Sequence, residues 1–220
     1  MVGDAGERQF RQLTTPRSAA VAGILFALLF ATSLVLLRTA LPADPLVEPT
    51  WVGRSESRIS AALVVAPFAG IAFLWFIGVV RDRFGELEDR FFSTVFLGSG
   101  LLFLACVFVS MAVAGGVLAV GRHSSIPQDG IVHFGREVML QINNVYAVRM
   151  AGVFMISLGT IWLRTGLMPR WLAVTTYVLA LTLLLVVSLS LWVTLVFPAW
   201  VLVISVYILV VRRQELHQSG

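Results

Sequence analysis

Polar residues with any chemical capacity are scarce in this sequence, and those that recur at a regular spacing lie between positions 133 and 149. His133, Glu137, Gln141 and Asn144 follow one another at intervals of four, four and three, which lines them up on one face of an α-helix. A histidine and a carboxylate four apart can share a metal ion, with His123 or Asp129 to add ligands. Two separated histidines are nevertheless a far poorer donor set than a dense His/Cys cluster. The stripe is read either as the wall of an outward-facing vestibule or as a solvated extension of the helix, with no metal and no cofactor assigned to it. Arg149 sits about 100° or more around the helix from this stripe. It precedes Arg164 by fifteen residues, about 22 Å of helix, and so falls within a hydrocarbon core about 30 Å thick. Two readings stand for it: the guanidinium snorkels to the outer headgroups, or it faces the bundle interior or a ligand. Glu137 is twelve residues away, about 18 Å along the axis and out of reach. An acidic partner would have to come from Asp44, Glu48, Glu56 or Asp129 in the outer loops, or from a second chain.

Several chemistries lack their residues. There is no nucleophile with a base at a recognisable spacing, no glycine-rich phosphate loop followed by lysine, and no histidine at mid-bilayer depth to ligate haem. One arginine and one carboxylate on different faces make a poor active site, so an enzyme is not expected.

The elements that carry these residues are set by composition. Of 220 residues, 58% are hydrophobic and 13% charged, and the mean hydropathy is +0.91. A soluble domain is about 25% charged, so this balance calls for a bilayer. At about 20 residues per crossing, the chain reads as one all-α transmembrane domain of about six spans, 19–41, 59–80, 91–120, 140–163, 171–190 and 193–212, after a cytoplasmic tail 1–18. The apolar run from Ala19 to Leu37 is too long for a signal peptide. Pro42, Pro45 and Pro49, with Trp51, place an exposed loop across 38–58. Pro67 is expected to kink the second span, and Gly115-Gly116 to loosen the outer end of the third. From Trp171 to Val211 no charge occurs, so two spans share that run, with Trp192, Phe197, Pro198 and Trp200 marking the turn and the interface. Cys106 lies in an apolar run and packs as a small hydrophobe.

Small residues at Ala19, Gly23, Ala27 and Ala31 in the first span, and at Ala62, Ala66 and Gly70 in the second, recur about every four positions. Such faces permit close helix packing. All 16 basic residues are arginine, scattered in ones to threes as a topology signal and not as a nucleic-acid patch. With the N-terminus inside, ten arginines fall on the cytoplasmic side (8, 11, 17, 81, 83, 90, 164, 170, 212, 213) and five outside (38, 54, 58, 122, 136). This favours both termini in the cytoplasm of a bacterial cell.

Two segments resemble known families. Gly78-Val79-Val80-Arg81-Asp82-Arg83-Phe84-Gly85 resembles the first part of the signature between helices two and three of major facilitator transporters, but continues Glu86-Leu87 where that signature is basic. The resemblance implies interhelical contacts for Asp82 and Arg83, and a dimer, since six spans are half such a transporter. Taken as residues alone, the segment is a charged tight turn. The turn Arg164-Thr165-Gly166-Leu167-Met168-Pro169-Arg170-Trp171, with the helix pair after it, resembles bacterial multi-pass membrane proteins of about this size, which supply no catalytic residues. The partners expected are the lipid bilayer and either a second copy or another membrane protein. The functional expectation is a structural or accessory membrane subunit, with a small dimeric permease as the alternative.

Overall fold

The computed structural model describes the backbone of residues 3–41, 51–84, 90–122, 129–166, 168–185 and 192–218. Side chains are described within 18–41, 53–82, 91–122, 130–166, 168–185 and 192–210. Every regular element among them is helical: α1 Gly3–Ala40, α2 Trp51–Phe84, α3 Arg90–Gly121, α4 Asp129–Gln141, a π turn Ile142–Ala147, α5 Val148–Thr165, α6 Arg170–Leu185, a 3-10 turn Val193–Leu195 and α7 Val196–Gln218. Hydrocarbon offers the backbone no hydrogen bonds, so each crossing segment satisfies its own amides and carbonyls as a helix. α4, the π turn and α5 run on as one rod, which makes six rods in all. Five contain windows long and apolar enough to cross a membrane, Ser18–Ala40, Gly53–Asp82, Phe91–Gly121, Gly130–Thr165 and Val193–Val210, while Arg170–Leu185 is a shorter apolar helix. The molecule is an all-α bundle of membrane-spanning helices.

The ends of the helices depart from the sequence reading. α1 begins at Gly3 and α2 at Trp51, so residues 51–58 are helix where a loop was expected. The last of the three prolines is Pro49, and nothing after it prevents helix formation. α3 continues unbroken through Gly115 and Gly116 to Gly121, held on both sides by buried Ala114, Val117 and Leu118. α6 is described from Arg170 to Leu185, and the expected continuation to 190 lies outside the described residues. Phe197 and Trp200 are buried against other helices, at 2% and 4% exposure. Pro198 sits in the first turn of α7, where its missing amide costs no helical hydrogen bond.

α1 packs along α2 and α7, α3 lies against α2, α4 and α5, and α6 lies against α5. Lipid gives apolar side chains no drive to leave it, so such a bundle holds by close packing and by hydrogen bonds between helices. Phenylalanines supply the packing. Phe26 of α1, Phe73 of α2, Phe103 of α3, Phe154 of α5 and Phe197 of α7 are all buried, with centroid separations of 4.5 Å for Phe26–Phe73, 5.4 Å for Phe73–Phe103, 4.7 Å for Phe103–Phe197 and 5.8 Å for Phe154–Phe197. The hydrogen bonds tie neighbouring rods: Ser33 Oγ to the Ala62 carbonyl at 3.0 Å, Ser110 Oγ to the Met139 carbonyl at 3.1 Å, and Trp200 Nε1 to Thr176 Oγ1 at 2.9 Å. Thr160 Oγ1 and the Tyr177 hydroxyl meet at 2.6 Å.

Two glycines have specific work. A Cβ on Gly23 would lie 2.0 Å from Ser205 Oγ and 3.0 Å from the Phe76 ring, so α1 approaches α7 as closely as it does only because the side chain is absent. Gly166 adopts φ +66° and closes α5, its amide donating to the Trp162 carbonyl at 3.0 Å. The Pro169 carbonyl then accepts from Leu172 at 3.0 Å as α6 begins.

Candidate functional site

The α4–π–α5 rod turns Val132, Arg136, Met139, Asn143 and Ala147 inward, each at 5% exposure or less. Their spacing of four, three, four and four defines one face, and it carries two strongly polar side chains. The expected stripe lies beside it. His133 and Asn144 are half-buried, while Glu137 and Gln141 are exposed. Through the π turn the helix is wound more loosely, so side chains above and below it keep separate phases.

At this end of the bundle four arginines gather. Arg136 Nη1 donates to Glu137 Oε1, the side chains being 6% and 55% exposed. Arg38, in the last turn of α1, donates from Nη2 to Asn144 Oδ1. Its Nη1 is buried and has no hydrogen-bond partner among the described residues. Arg58 donates to the Thr39 carbonyl and, at 3.2 Å, to Ser55 Oγ, covering the C-terminal carbonyls of α1 where the helix dipole favours a cation. Arg122 donates from Nε at 2.9 Å and from Nη2 at 2.6 Å to Glu56 Oε1, tying the end of α3 to the start of α2.

Arg149 stands apart from this group. It is exposed, five residues beyond Asn144 and thus about 7 Å further along the rod, and it makes no hydrogen bond or ion pair among the described residues. Glu56, one of the carboxylates suggested for it, is bonded to Arg122 instead. Asp44, Glu48 and His123 lie outside the described residues, as does the side chain of Asp129. No three His, Cys, Asp or Glu side chains come together as a metal-binding group among the described residues.

No protein-family model, curated protein or solved structure matches the chain.

The remaining residues singled out by the sequence are placed as follows. Asp82 is exposed in the last turn of α2, and the side chain of Arg83 is outside the described set. Ala19, Gly23, Ala27, Ala62, Ala66 and Gly70 are buried within the chain and Ala31 is half-buried; a Cβ on Gly70 would lie 2.4 Å from the Phe108 ring. These small residues thus face other helices of the same molecule. Arg136 and Arg38 enter the sequence reading only as topology charges. The signal that finds Arg136 is its place in the inward line of Val132, Met139 and Ala147; Arg38 has no comparable signal.

Chemically, the Arg38 end offers hydrogen-bond donors and positive charge. Beneath it, Phe30, Phe103 and Phe197 help enclose a cavity of about 10 Å³, to which Asn143 and Thr194 contribute. That volume suits about one water molecule.

Proposed function

We propose that this chain is a structural or accessory subunit of a bacterial cytoplasmic membrane, with both termini in the cytoplasm and a membrane protein partner seated along the exposed side of the α4–α5 rod. The observation that carries the reading is Arg149, exposed within the candidate membrane span Gly130–Thr165. An arginine facing lipid costs up to about 2.5–3.5 kcal/mol on insertion scales, the value at the centre of a span and less toward its outer side, and a carboxylate on a neighbouring helix offsets that cost. Tyr146, at 59% exposure, flanks it and supplies aromatic contact area. The small-residue faces are not the docking surface in this reading, since they are occupied within the chain.

The test is native electrophoresis and copurification in a mild detergent, comparing wild type with Arg149→Leu and Arg149→Lys. Loss of the larger species with leucine and its retention with lysine is the expected result. An unchanged complex in Arg149→Leu, or a monomer in wild type, assigns Arg149 to the headgroups and ends the proposal. The polar Arg38 end supports a second reading, a small permease working as a dimer. Because phenylalanines from five helices fill the bundle below that end, its route would run between two copies, and disulfide cross-linking of cysteines placed at position 134 would detect the pair.

A further inference from the structure

We propose that Arg38, Arg136 and Asn144 form a binding site for a phosphate oxyanion where the end of α1 meets the α4–π–α5 rod at the membrane boundary. Arg136 is 5% exposed and Arg38 is half-buried, and they lie near enough for their like charges to repel. Withdrawing two cations from water side by side is costly unless negative charge accompanies them. Glu137 meets Arg136 from the rim, more than half exposed. Among the described residues Arg38 bonds to a neutral amide, and its buried Nη1 has no hydrogen-bond partner. The C-terminal dipole of α1 favours a cation there, but it is a small term beside the desolvation of a guanidinium.

The hydrogen-bond chemistry defines the missing group. A guanidinium only donates, so Asn144 must turn Oδ1 toward Arg38, and its amide nitrogen becomes a further donor. The site therefore presents Arg38 Nη1 and Asn144 Nδ2 as donors beside a second positive charge. An oxyanion with several acceptor oxygens fits this set, and the arginine fork matches phosphate geometry. Arg38 lies at the end of the apolar window Ser18–Ala40, the depth at which lipid phosphodiesters lie. The group comes either from a lipid headgroup or from phosphate in solution.

The full-length protein, purified in neutral detergent and stripped of phospholipid, is melted with inorganic phosphate against sodium chloride at equal ionic strength. In parallel it is melted with a short-chain phosphatidylglycerol against a short-chain diacylglycerol. A rise in Tm of several degrees with phosphate supports the site and a solution source; a rise with the phospholipid alone supports the site and a headgroup source. Arg38→Gln and Asn144→Ala, which leave the Arg136–Glu137 pair in place, are expected to weaken the response about tenfold, the cost of one charge-assisted hydrogen bond. Arg81→Gln, exposed at the opposite end, should respond as wild type. No rise with either probe, as when a carboxylate of the chain already fills the site, overturns the proposal. So does an undiminished response in both Arg38→Gln and Asn144→Ala, or an equal loss in Arg81→Gln, which marks an adventitious ion only.

Discussion

The close approach of α1 and α7 at Gly23 makes a quantitative prediction. In Gly23→Ala the new methyl would meet Ser205 Oγ at 2.0 Å and the Phe76 ring at 3.0 to 3.2 Å. The hydroxyl can rotate away, but the Phe76 ring is fully buried, stacked on Phe73 at 6.4 Å between centroids, and yields little. Overpacking of this kind costs about 1–3 kcal/mol, and the gain in helix propensity from glycine to alanine returns up to about 1 kcal/mol, leaving a net loss of about 0–3 kcal/mol. Ser205→Ala acts in the opposite direction. Its Oγ is fully buried and has no hydrogen-bond partner among the described residues, so removing it should stabilise by up to about 1–2 kcal/mol. The double variant should recover most of what Gly23→Ala loses, with a coupling of at least about 0.5 kcal/mol between the two sites. Thermal unfolding in detergent reads these differences, at about 2–4 °C per kcal/mol for a chain of this size. Strictly additive effects, or a Ser205→Ala variant less stable than wild type, would refute the contact. A complex lost in Gly23→Leu would report this internal clash and say nothing of partner binding.

Other expectations concern packing and charge. Phe73→Ala should destabilise by about 3–5 kcal/mol because it empties the centre of the aromatic core, while Phe68→Ala, on the lipid-facing surface at 58% exposure, should leave Tm nearly unchanged; equal effects would contradict the assignment of faces. Trp200→Phe removes the bond to Thr176 Oγ1 and is expected to cost about 0.6–1.7 kcal/mol, checked by unfolding and by the absence of any further loss in the double variant with Thr176→Val. Glu56→Gln and Arg122→Gln break one exposed ion pair, so each should lower stability by less than about 1 kcal/mol, and a larger loss in high salt would contradict that account. In a Cys106→Ala background, a cysteine at Arg54 should react with an impermeant maleimide added outside whole cells and one at Arg81 should not; the reverse pattern would invert the orientation.

The positions of the rods are legible because a bilayer imposes a length, and runs such as Ala19–Leu37 and Phe91–Val120 meet it between charges. Phase is harder to read. Counting from His133 by helical spacing brings Glu137 onto the chosen face, whereas counting from Val132 brings in Arg136, and only the packing of Met139 and Ala147 decides between them. A π turn leaves no side-chain signature, so Asn143 and Asn144 give no warning that the winding changes there. Trp200 satisfies the rules for both an interfacial and a buried aromatic. Its burial depends on Thr176, on another helix, offering an oxygen to its N–H. The alanine and glycine rows identify surfaces that pack closely without indicating whether the neighbour belongs to the same chain, and here it does.

The loosened turn at Ile142–Ala147 also divides the α4–π–α5 rod into two segments that can change independently. A single-residue insertion or deletion in a regular helix rotates everything beyond it by about 100°, which in a bundle would swing a packed face into lipid. Within a π turn one added or removed backbone unit is absorbed locally. The half carrying Arg136 and Asn144 is thereby free to vary in charge and recognition while the half around Phe154 and Leu158 keeps its fit. Removing one residue from 142–147 should restore uniform winding and keep Arg136 facing inward, leaving the lower half of the rod undisturbed.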